Sequence, residues 1–154
     1  MTPAIRFAAL LATALTLALS ATPALAHDDA YLDTVKAPNG GQLRMTGPYH
    51  YELVVVKDAK TAKENPVLVY LTDHAGKKIS SAGASGTATI LAGKLKISLT
   101  LKPDGDNRMK GFAKYASMPD MKAVVSIALA GQPPEQARFT PLAAAPDEHM
   151  HHKP

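Results

Sequence analysis

The stretch Lys94-Leu95-Lys96-Ile97-Ser98-Leu99-Thr100-Leu101-Lys102 decides the fold class. On an extended chain Leu95, Ile97, Leu99 and Leu101 fall on one side, and the lysines, Ser98 and Thr100 on the other. A period of two with one apolar and one polar face describes a strand that covers a core and faces water. Ala92-Gly93, just before it, reads as a tight turn leading back to a strand over Thr87 to Leu91. Further along, Lys122 to Ala130 alternates again, with Ala123, Val125, Ile127 and Leu129 set against Lys122, Ser126 and Ala128.

Outward from these, Tyr49 to Val56 and Val67 to Thr72 are rich in aromatic and β-branched residues and read as strands. Asp73-His74-Ala75-Gly76 supplies a reversal, and Pro103-Asp104-Gly105-Asp106-Asn107 turns the chain into Arg108 to Tyr115. Gln136 to Phe139 adds a short edge strand, and Pro38-Asn39-Gly40-Gly41 is a concentrated turn signal at the start. Short, regularly spaced strands without a long helical pattern predict an all-β domain, an immunoglobulin-like sandwich of about seven strands over residues 38–140. Residues 27–37 form a polar lead-in to it.

The first 26 of the 154 residues have a different character. Met1 to Arg6 carries their only charged side chain, Phe7 to Leu19 is an apolar run of 13 residues, and Ala24-Leu25-Ala26 is an A-x-A cleavage signal. That is the layout of a secretory signal peptide, and the run is shorter than the roughly 20 residues a membrane span needs. The chain is therefore expected in the periplasm, starting at His27, without membrane insertion after cleavage. The remaining 128 residues carry 16 basic and 13 acidic groups, and a net charge of +3 argues against a nucleic-acid partner. With no cysteine, disulfides, thiolate metal sites and a cysteine nucleophile are excluded. There is no G-x-S-x-G elbow, phosphate-binding loop or H-E-x-x-H, so no enzyme is expected.

The chemistry-bearing residues are imidazoles and thioethers. Residues 141–154 read as a flexible tail whose Asp147-Glu148-His149-Met150-His151-His152 offers four donors of the kind that suit copper and other borderline or soft ions. His27, once terminal, presents an α-amine and an imidazole to one ion, with His50 or His74 as a second histidine; an incidental residue after a cleavage site is the competing and favoured reading. His50 and Glu52 lie two residues apart on one strand face, either to ligate a metal or, as is favoured, as a structural pair. His74 reads as an exposed turn residue. Met118-Pro119-Asp120-Met121 places two thioethers three residues apart in a loop, as a soft-metal pair or as gap filler at the end of the sandwich.

At PNGGQLRMTGPYHYELVV (Pro38 to Val55) and VYLTDHAGKKI (Val69 to Ile79) the chain resembles small periplasmic domains linked to heavy-metal resistance. Among them are accessory domains of metal-efflux periplasmic adaptor subunits. The resemblance spans roughly residues 38 to 140, implies a β-sandwich in a metal-handling setting, and singles out His50 and Glu52 by position. It also implies a metal-efflux envelope complex as a partner, although the coiled-coil hairpin and lipoyl-like halves of a full adaptor are missing. The expected function is periplasmic metal binding, copper first and another divalent metal second, that buffers or delivers ions. The alternative is a non-catalytic interaction module that docks on an envelope partner.

Overall fold

The computed structural model describes residues 29–144. The expected signal peptide, His27 and the tail donors His149, Met150, His151 and His152 lie outside the described residues. The chain is all-β apart from one short helix. In order it forms α1 (Asp29–Thr34), β1 (Gln42–Thr46), β2 (Tyr49–Val55), β3 (Lys63–Asp73), β4 (Ser85–Ala92), β5 (Leu95–Pro103), β6 (Arg108–Tyr115), β7 (Lys122–Ala128) and β8 (Pro134–Phe139).

The strands form one antiparallel sheet in the order β1-β2-β3-β6-β5-β4-β7-β8. The expected immunoglobulin-like sandwich of about seven strands is thus corrected to eight strands in continuous hydrogen-bonded order, curled into a nearly closed barrel. The link at its middle is narrow, because β5 and β6 pair only through Lys102↔Lys110 and Pro103↔Met109. At the outer ends, side chains of β1 reach backbone groups of β8 and of Thr140 just after it, which leaves the barrel nearly closed. The Thr140 N–H donates to Gln42 Oε1 at 2.8 Å, and Thr46 Oγ1 donates to the Gln136 carbonyl at 3.1 Å.

The core lies inside the curl. Tyr51, Leu53, Val69 and Leu71 enter it from one side of the sheet order, and Ile90, Val125 and Ile127 from the other, all essentially inaccessible to water. Two buried hydroxyls are satisfied within it. Tyr115 Oη donates to the Pro66 carbonyl at 2.9 Å and accepts the Val56 N–H at 3.0 Å. Tyr51 Oη reaches the Ile127 carbonyl at 3.4 Å. Burial raises the Tyr115 phenol above its ordinary range, although the Val56 N–H works against that shift.

Strand β1 was not among the expected strands, and its composition shows why. Arg44 lies opposite core-facing Tyr51, so the residues that β1 turns inward, Arg44 and Thr46, are polar. Arg44 is accommodated because α1 brings Asp33 to it: its Nη1 donates to Asp33 Oδ1 at 2.7 Å and its Nη2 to Oδ2 at 3.2 Å. Partial burial disfavours the Asp33 carboxylate, but the hydrogen bonds from Arg44 and Gln42 outweigh it and hold the carboxyl below its usual range. The polar lead-in therefore contains a docked helix, anchored also by buried Leu32. At the other end Leu142 packs against the core, so order continues past the expected boundary at residue 140.

Candidate metal centre

Strand β2 presents two faces. Tyr51, Leu53 and Val55 point into the core, which leaves His50, Glu52 and Val54 on the outer face. His50 and Glu52 both line an outer cavity of about 390 Å³, together with Tyr70, Thr72, Lys78 and Asn107. The expected sharing of one strand face by His50 and Glu52 holds.

Their roles diverge. Glu52 is only 3% exposed, and the loop before β1 lies over it. Its Oε1 accepts the backbone N–H groups of Asn39 (2.8 Å) and Gly41 (2.9 Å), and its Oε2 accepts Asn39 Nδ2 at 2.8 Å. Both oxygens are committed to pinning the Pro38–Gly41 turn. That turn needs Gly40 at a φ of +74°, and a Cβ on Gly41 would collide with the Leu53 carbonyl oxygen. Glu52 thus anchors the loop through three hydrogen bonds, two on Oε1 and one on Oε2.

His50 instead stacks on His74, with ring centroids 5.0 Å apart and planes inclined by 24°. Register explains the meeting. His50 lies opposite Thr72 in the β2–β3 ladder, and His74 is two residues beyond Thr72, diagonal to His50 on the same face. The turn that carries His74 is fixed by Asp73, whose Oδ1 accepts the Ala75 and Lys77 N–H groups, each at 2.9 Å. The Gly76 N–H closes the turn onto the Asp73 carbonyl at 3.0 Å. His74 is exposed on this turn, and His50 is half-buried beside it.

On the other side of His50, Met45 of β1 is its direct cross-strand partner. Met45, His50 and Thr72 therefore form one row across three strands, with Met45 half-buried. Sequence reading singled out His50 but passed over Met45 and set His74 aside. Hairpin arithmetic contained the signal. Thr46 and Tyr49 close the Gly47-Pro48 turn, so the next pair outward has to be Met45 and His50.

The Met118/Met121 pair comes apart. Met121 is wholly buried in the core, whereas Met118, in the same β6–β7 connection, is exposed and lies against the tip of the β4–β5 hairpin, where a Cβ on Gly93 would lie 3.2 Å from its Sδ. Pro119-Asp120 makes a tight turn in which the Met121 N–H donates to the Met118 carbonyl at 3.0 Å. That places one side chain inward and the other outward. As packed, the two sulfurs belong to different environments, and Met121 fills core volume as the gap-filling alternative expects.

Among the described residues no group of three or more His, Cys, Asp or Glu is placed to hold a metal ion. Nor is any helix among them long and apolar enough to cross a membrane. No protein family matches the chain, and neither a curated protein nor a solved structure does.

Proposed function

We propose that this chain is a non-catalytic periplasmic metal-binding protein, with copper as its principal ion, that buffers or delivers that ion. The observation that carries the reading is the His50–His74 pair, two imidazoles in ring contact, of which His50 lines an open cavity. Imidazole is the commonest protein ligand for copper and zinc, and two such rings in ring contact provide two of its donors within reach of one ion. The composition of the tail agrees with it: His149, Met150, His151 and His152 add donors of the same two kinds on the same chain. The tail captures ions, and the folded pair holds them in a defined place.

Equilibrium titration of the exported chain with Cu(I) and Cu(II) tests this against a His50→Ala/His74→Ala variant and a chain ending at Ala144. The expected result is binding that falls in steps, with part lost on removing the tail and part on removing the imidazoles. Binding no tighter than to an unrelated β-protein would overturn the reading.

One observation favours a docking role instead. Phe112 on β6 is 52% exposed, with Lys110 Nζ 5.1 Å from its ring centroid and Lys102 and Gly111 lining the same shallow depression. An exposed aromatic with two lysines and one carboxylate, Asp104, in the same depression suits an envelope partner with an acidic patch. In that case Phe112→Ser abolishes partner capture and leaves metal titration unchanged.

A further inference from the structure

We infer that Met45 supplies a third donor to the His50–His74 pair and makes the centre selective for a soft monovalent ion, Cu(I) or Ag(I). The inference rests on the metal-binding reading above and specifies its ligand. Its starting point is register: Met45 and His50 are directly opposed across β1 and β2. Opposed residues on one face hold their Cβ atoms about 4.5–5.5 Å apart, within reach of a thioether on three rotatable bonds. His50 thus has a thioether on one flank and a second imidazole on the other.

The donor chemistry then discriminates between ions. A structural zinc ion takes four nitrogen, oxygen or thiolate ligands, and Glu52, the nearest carboxylate on this strand face, already has both oxygens hydrogen-bonded to the loop. Thioether sulfur adds little for Zn(II) or Cu(II) but is a good donor to Cu(I) and Ag(I). Two imidazoles and one thioether make a three-donor, soft-leaning set.

Stacked rings do not aim their lone pairs at one point, so binding requires a rotation. The geometry assigns it to His74, exposed on its turn, whereas His50 is held by the strands on either side. The Asp73 hydrogen bonds fix the backbone of the turn on which the ring moves.

The test is a titration of Ag(I), which is redox-inert, into the exported chain labelled with ¹³C at the methionine methyls and in the histidine rings. Site-resolved spectra separate this centre from the tail. At substoichiometric Ag(I) the Met45 methyl should shift together with the His50 and His74 ring signals, while those of Met109 and Met121 stay in place. Met45→Leu, which keeps the side-chain volume, should weaken Ag(I) at this centre tenfold or more and leave Zn(II) affinity unchanged. If the two ring signals respond and Met45 does not, the thioether assignment is overturned while the imidazole pair survives. If neither ring signal responds, the folded centre itself is lost and the tail alone carries metal.

Discussion

Two methionine-bearing regions of this molecule respond oppositely to folding. Met118 and Met121 are three residues apart in sequence, yet the fold sends one to the surface and the other into the core. Met45, His50 and His74 span thirty residues, yet the β1–β2 and β2–β3 registers bring them into one neighbourhood. Spacing along a chain predicts proximity of donors only where the local structure is periodic. In a turn, consecutive side chains diverge, whereas in a ladder remote ones align.

The largest expected effect bears on the first region. Met121→Ala empties a fully buried position and should cost about 2–5 kcal/mol in urea denaturation, whereas Met118→Ala should cost less than about 1 kcal/mol. A working soft-metal pair would show the reverse signature, modest stability changes and equal losses of binding. Next comes Glu52→Ala, which leaves the Asn39 and Gly41 N–H groups without their acceptor and should cost about 3 kcal/mol by thermal or chemical unfolding. A small loss of stability accompanied by complete loss of metal would return Glu52 to the ligands.

A smaller effect is expected from acid. The Asp33 carboxyl is held below its ordinary value, so its contribution is full above about pH 3.9 and fades as pH falls through the lowered value. The Leu32 methyl signals should report α1 leaving Arg44 in that acid window, and in Asp33→Asn the transition should no longer depend on pH there. Smallest of all, His74→Ala should shift stability by no more than about 0.5 kcal/mol, because the ring is exposed, while removing the folded metal centre. That pairing of negligible stability cost with loss of binding is the inverse of what Met121→Ala should give.

The sequence disclosed most of the strands and the faces they present, and it erred where tertiary context overrode local pattern. In β5 the alternation is correct, but Leu95 is 55% exposed and only Leu101 of the four apolar residues is fully buried. Alternation reports which face is apolar, whereas depth depends on what covers it, and β5 pairs with β6 only at its far end. Strand β3 begins at Lys63 and passes through Pro66, where a sequence reading sees a boundary. Strand β1 was hidden because its inward side chains are Arg44 and Thr46, whose partners lie on α1 and β8. At the candidate site, His50 and Glu52 were legible as a shared face. The use of Glu52 as a loop anchor was not, since the donors that claim it come from a turn eleven to thirteen residues away.

The seam between β1 and β8 joins the two ends of the folded domain. Its hydrogen bonds link residues up to 98 apart, as in Gln42 and Thr140, whereas the β4–β5 hairpin pairs residues no more than 15 positions apart, from Ala92↔Leu95 to Gly86↔Leu101. Contacts of such high order are the costliest to close in chain entropy, so the curl is expected to assemble from its hairpins and shut at this seam last. Met45 faces His50 inside the β1–β2 hairpin and Arg44 reaches Asp33 only 11 residues away, so the candidate donor set and the α1 anchor are expected to form with the hairpins, before the seam shuts.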